Sequence, residues 1–180
     1  MQKLKRILVF KKFSKEYYLS AERDKVPRRK NNMQQNKVNA SMNGLLGSLV
    51  VFYHKLQSYH WYVTGHAFFT IHAQLESYYD EVNEEIDEVA ETLLQVGGKP
   101  ISRMSEFLEL SKIQEDSGTY ISAEDAMEEV LKDYRLLTEL TTEIKTSAEE
   151  EKNYLVSAKM DDLIASFRKA IWMISQSRMK

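Results

Sequence analysis

Apolar residues recur at three- and four-residue steps through most of this chain. From Val38 the series Met42, Leu45, Leu46, Leu49, Phe52, Tyr53, Leu56, Tyr59 and His60 follows one face of a long amphipathic helix. Gly65 ends or follows it. A short loop, GHAFF, leads to Thr70, a candidate N-cap for a second helix over about Ile71–Val96. Leu75, Tyr79, Val82, Ile86, Val89, Leu93 and Val96 form its stripe, and Gly97-Gly98 followed by Pro100 ends it. A turn-rich stretch comes next, with one helical piece near Glu106–Leu110. Ser122-Ala-Glu-Asp125 opens a third long helix in the manner of a capping box. Met127, Val130, Tyr134, Leu137 and Ile144 mark its buried face, and Met160, Leu163, Ile164, Phe167, Ile171 and Ile174 mark that of a fourth. No strand-like alternation competes. The pattern predicts an all-α, four-helix bundle with a short helix in the long crossover, which is long enough to run back along the bundle.

Composition adds limits. Cysteine is absent, which excludes disulfides and thiolate metal sites and fits a reducing cytoplasm. The apolar run Ile7–Phe10 is too short for a signal-peptide core, and no segment is apolar enough to span a bilayer. The expected location is therefore cytoplasmic.

Charge is unevenly placed. The net value of −2 divides into +9 over residues 1–40 and −11 over residues 41–180. Residues 1–36 read as a basic arm, its first half a candidate short helix, and residues 37–180 as the bundle. Lys3, Lys5, Arg6, Lys11, Lys12 and Lys15 make the arm a candidate for sequence-independent DNA binding by counterion release. Phe10, Phe13, Tyr17 and Tyr18 between these charges equally suit packing on the body or resting on a membrane surface.

The second helix carries Glu76, Asp80, Glu81, Glu84, Glu85, Asp87, Glu88 and Glu91 without one Lys or Arg. Something outside the helix must offset that charge. Glu84, Glu85 and Glu88 read as solvated surface. Measured from Leu75, His72, Glu76, Asp87 and Glu91 project at roughly 60°, 100°, 120° and 160°, all on one flank. Each i,i+4 pair can share a metal, and imidazole with carboxylate suits iron, zinc or manganese. His72 and Asp87 are about 22 Å apart along the axis, whereas metal–ligand bonds are about 2 Å long. One helix cannot close such a site. An antiparallel copy related by a two-fold axis near Glu81–Val82 can, and His60 joins from the end of the first helix. His54 reads as surface, and His66 has no assigned role.

These residues resemble the Dps family, or mini-ferritins, of the ferritin-like superfamily. The resemblance rests on His60-Trp61, on His72 with a carboxylate four residues later, on Asp87 and Glu91, and on the ending Ile171-Trp172-Met173-Ile174. It covers about residues 38–178. It implies a nucleoid-associated dodecameric shell with ferroxidase sites at two-fold interfaces, where iron(II) is oxidised, typically by hydrogen peroxide, and stored as ferric mineral. His60, His72, Glu76, Asp87 and Glu91 would be the iron ligands, and Trp61 an electron donor that quenches radicals. Two positions depart from the family. Glu76 stands where Asp is usual. Asn153 and Ala158 stand where acidic residues often line the iron-entry pore, with Glu149, Glu150, Glu151, Asp161 and Asp162 nearby as substitutes. The competing reading is a DNA-compacting shell with a weak or inactive metal site. An intrachain di-iron oxidase would want Glu-x-x-His motifs, which the sequence lacks.

Overall fold

The computed structural model describes residues 34–177, with side chains from Lys37 onward. The arm and its six candidate DNA-binding residues, Lys3 to Lys15, lie outside the described residues.

The elements in chain order are α1 (Gln34–Tyr62), β1 (Val63–Thr64), α2 (Phe68–Gln95), α3 (Met104–Leu110), β2 (Ile121–Ser122), α4 (Ala123–Glu150) and α5 (Tyr154–Ser177). α1 packs chiefly on α2, and α4 on α5; α1 against α4 and α2 against α5 complete the bundle. The two-residue strands β1 and β2 pair in parallel, Val63 with Ile121 and Thr64 with Ser122, so the crossover ends beside the end of α1. The apolar period hides this short pairing because two residues cannot show alternation.

An aromatic node joins all four long helices. Tyr134 of α4 meets Phe52 of α1 edge-on at 4.9 Å, Tyr78 of α2 at 5.5 Å and Phe167 of α5 at 5.9 Å. All four rings are buried, the burial that gives aromatic residues most of their stabilising effect.

Three polar side chains of α1 guide the crossover along the bundle. The Asn43 side chain donates to the Lys99 carbonyl at 3.1 Å and accepts from Ile101 N at 2.9 Å. Ser48 Oγ accepts from Lys112 N at 2.9 Å, and Ser58 Oγ donates to Asp116 at 2.8 Å. Between them α3 lies so close to α1 that a Cβ on Gly47 would come within 2.9 Å of the Phe107 carbonyl oxygen.

The ends of α2 show one confirmation and one correction. Gly97 takes φ +77° while Gly98 N donates to the Leu93 carbonyl at 2.8 Å and Gly97 N to that of Leu94 at 3.0 Å. This is the glycine C-cap that the sequence predicts. At the other end Thr70 is not the N-cap. The helix starts at Phe68, after Ala67, with no side-chain cap. The added residues let the Phe68 ring stack on His72, centroids 5.1 Å apart. The N-cap of α4 is Ser122, whose side chain accepts from Asp125 N at 3.1 Å.

Candidate metal centre

His60 sits in the last turn of α1 and His72 in the second turn of α2, facing each other across the loop that joins the helices. Their rings stack with centroids 3.6 Å apart and planes 21° from parallel. Each ring also bonds the other's backbone. His60 Nδ1 lies 2.8 Å from the His72 carbonyl oxygen, and His72 Nδ1 lies 2.8 Å from the His60 carbonyl oxygen. A carbonyl oxygen only accepts, so both Nδ1 atoms must carry the proton. In the neutral ring Nε2 is then the bare nitrogen, the form in which histidine binds metals.

Tyr79 supports the pair from about two turns further along α2. Its ring meets His60 edge-on at 5.5 Å and Tyr53 edge-on at 6.0 Å. The Tyr79 hydroxyl lies beside the Glu76 carboxylate; loss of solvent, then that carboxylate, push the phenol pKa up. Glu76, Asp87 and Glu91 are exposed, while both histidines are half-buried. Among the described residues Glu76, Asp87 and Glu91 form no ion pair with Lys or Arg. Nor, among the described residues, do three His, Cys, Asp or Glu side chains gather to hold a metal ion. The chain therefore brings His60 and His72 together, places Glu76 one turn along α2 from His72 and leaves Asp87 and Glu91 apart. Trp61 is 57% exposed, and its ring meets His54 edge-on at 6.0 Å. His54 and His66 are exposed, in line with the sequence reading.

The opposite flank of α2 overturns one expectation. Glu85 is not solvated surface: it is 6% exposed, and burial pushes its pKa up to about 8. Ser166 Oγ lies 2.8 Å from Glu85 Oε1 and 2.9 Å from Glu81 Oε1. A hydroxyl has one hydrogen to give. Donation to Glu81 leaves Ser166 free to accept a proton from neutral Glu85, consistent with the raised pKa. Glu88 is exposed as expected but pairs with Lys159 of α5 at 2.8 Å. The available signal was the seven-residue spacing Tyr78, Glu85, Thr92, all three buried.

Near the turn between α4 and α5, Asn153 Oδ1 accepts from Val156 N at 3.3 Å, so this side chain caps α5. Lys145 holds both Glu149 and Asp161, at 2.6 and 3.0 Å. Two of the acids named as pore substitutes are thus already paired.

Residues 39–178 match the ferritin-like domain family. The chain is 31% identical over 130 residues to the DNA protection during starvation protein of Helicobacter pylori, covering 72% of this chain and 90% of that relative. It is 34% identical over 133 residues to DNA protection during starvation protein 2 of Bacillus anthracis, covering 74% and 90%.

The chain belongs to the Dps family of ferritin-like proteins. Solved Dps structures agree with this placement. The Dps protein from Bacillus brevis superposes with a TM-score of 0.80 at 30% identity, covering 83% of this chain and 99% of that one. Antigen TpF1 from Treponema pallidum gives 0.81 at 29% identity, covering 86% and 99%. A third, from Vibrio cholerae, is described as one of the ferritin-like diiron-carboxylate proteins; it gives 0.78 at 29% identity, covering 81% and 91%.

Proposed function

We propose that this Dps-family chain sequesters iron and protects DNA, by oxidising iron(II) with hydrogen peroxide at sites completed by a second copy. The carrying observation is the His60–His72 pair. Two mutual hydrogen bonds fix both tautomers and orientations and leave both Nε2 atoms bare. Such preorganisation suits a ligand pair better than a packing pair, which would use its nitrogens for internal bonds. Glu76 adds a carboxylate one turn along the helix. Asp87 and Glu91, exposed and unpaired within the described chain, would complete the shell from an antiparallel α2 of a two-fold partner. Peroxide accepts two electrons and two protons, its O–O bond breaks, and two waters leave while two iron(II) ions become iron(III). The acidic body then suits retention of ferric iron within a closed shell, for which the family expectation is a dodecamer.

The arm of residues 1–36 would hold DNA by charge alone, multiplied by the number of arms each shell displays. Deleting residues 1–22 should abolish gel retardation of plasmid and leave the shell assembled; retained binding would reject the arm as the contact. Among the described residues no helix is long and apolar enough to cross a membrane, which suits a nucleoid-associated cytoplasmic role.

The oxidation reading is tested by stopped-flow iron(II) oxidation with peroxide. His60→Ala/His72→Ala should lose the fast phase while remaining assembled. Equal rates in the variant and the wild type would favour the DNA-compacting shell instead.

A further inference from the structure

We propose that Tyr79 is the first electron donor to a site holding one iron(II), through its edge contact with His60, and that Tyr53 receives the resulting hole. This rests on the ferroxidase reading above.

A singly loaded site has a stoichiometric problem. Peroxide needs two electrons and one iron(II) supplies one. An oxidisable ring within contact distance of a ligand can supply the second before a hydroxyl radical escapes. Trp61, adjacent to His60 in sequence, instead meets His54 within this chain and stands 57% exposed. The oxidisable ring against His60 belongs to Tyr79, at 5.5 Å.

The path continues away from the metal. Tyr79 meets Tyr53 at 6.0 Å, and the Tyr53 hydroxyl accepts from Gln57 Nε2 at 3.0 Å. Gln57 Oε1 faces His54 Nδ1 at 3.4 Å, and His54 meets Trp61. Trp61 is then the exposed far end of a series of side-chain contacts, interrupted by the Gln57 amide, whose near end is Tyr79.

The step balances. Peroxide takes one electron from iron(II) and one from Tyr79, with the phenolic proton and one proton from solvent. The O–O bond breaks and two waters form, leaving iron(III) and a neutral tyrosyl radical. A second iron(II) reaching the site returns an electron, and solvent returns a proton. Tyr79 is restored and the total is two iron(II) per peroxide.

The test uses the full-length assembled protein, loaded with less than one iron(II) per site and freeze-quenched after excess peroxide. Electron paramagnetic resonance should show a tyrosyl radical in the wild type, narrowed by ring-deuterated tyrosine. Peptide mass spectrometry should place oxidised products at Tyr79 and Tyr53. In Tyr79→Phe the tyrosyl signal should fall to background, with iron(II) affinity unchanged by calorimetry. Tyr53→Phe should keep the radical and lose the Tyr53 product. Three outcomes overturn the proposal: an undiminished tyrosyl signal in Tyr79→Phe, weakened iron(II) binding in that variant that accounts for the lost signal, or ferric iron formed in the wild type without any tyrosyl radical. The last leaves the ferroxidase reading standing. Failure of the wild type to oxidise iron at all removes both.

Discussion

The two flanks of α2 carry the same kind of residue and treat it in opposite ways. On one flank Glu81, Glu85 and Glu88 meet Ser166 and Lys159 of α5. Their charge is offset inside the chain, by sharing a proton or pairing with a cation. On the other, Asp87 and Glu91 stand exposed without an ion pair among the described residues, and the histidine pair keeps both Nε2 atoms outside its mutual hydrogen bonds. Carboxylates balanced within the fold are part of its packing. Carboxylates left without a partner within the chain are the ones the proposed shared site would use.

The largest expected effect follows from exchanging damage between these flanks. Asp87→Ala/Glu91→Ala should lower the iron(II) oxidation rate beyond the roughly 10–100-fold typical of losing an outer hydrogen-bond partner of a metal ligand. Glu81→Gln/Glu88→Gln should leave that rate near wild type. Similar losses from both pairs, measured by stopped-flow absorbance, would erase the distinction.

Next in size is the buried acid that joins α4 to α1. Asp133 of α4 pairs with Lys55 of α1 at 2.7 Å, with side chains 11% and 7% exposed, and the Lys55 ammonium lies 5.9 Å from the Tyr59 ring centroid. Burial pushes the Asp133 carboxyl up and Lys55 opposes that shift. Lys55→Met strands the carboxylate and should cost about 3–5 kcal/mol in chemical denaturation at neutral pH. Lys55→Met/Asp133→Leu should recover most of the loss. A double variant no better than the single one would show that the pair is not what stabilises this seam.

Glu85 gives a smaller effect with a direction in pH. Its folded pKa of about 8 lies above its ordinary value of 4.5, so the folded chain holds the proton more tightly. Its contribution is fully present below about pH 4.5 and is lost as pH rises to about 8. Glu85→Gln keeps the shape without the ionisation. It should flatten the fall in stability over that window and gain roughly 2–4 kcal/mol at pH 9. Parallel pH profiles for variant and wild type would contradict the assignment of Glu85 as a neutral acid.

The smallest effect concerns the turn that links α4 and α5. Lys152 adopts φ +56° where the chain closes, with Asn153 N donating to the Ala148 carbonyl at 2.8 Å. Glycine has no Cβ to strain there, so Lys152→Gly should stabilise the chain by about 0.5–1 kcal/mol. A lowered thermal midpoint would mean that the lysine side chain contributes more than the backbone strain removes.

Much of this was legible in the sequence, and the gaps have physical reasons. The three- and four-residue apolar steps exposed the four long helices, because each buries a stripe against its neighbours. The stripe placed Tyr134 and Phe167 in the core. The glycine pair at residues 97–98 marked the end of α2, since only that cap uses φ > 0 there without strain. Helix starts were harder. Phe68 extends α2 for a tertiary reason, its contact with His72, which no local capping preference contains. Glu85 was hidden because a carboxylate reads as surface unless its partner is known, and Ser166 is 81 residues away. For the candidate metal centre, residue type and spacing singled out His60, His72 and Glu76 and assigned Asp87 and Glu91 to a second copy. What spacing could not reveal was the stacked pair with its two carbonyl bonds, nor Tyr79 beside it, because both depend on how α1 and α2 meet.

The most direct measurement is complementation between two inactive variants. His60→Ala/His72→Ala keeps the acids, Asp87→Ala/Glu91→Ala keeps the histidines, and each alone should be inactive. In random co-assembly half of the two-fold pairs are mixed, and each mixed pair rebuilds one of its two sites, so about a quarter of wild-type oxidation should return. If the mixture stays as inactive as either parent while mass spectrometry shows that both subunits share shells, the iron site is not shared between chains and the account fails.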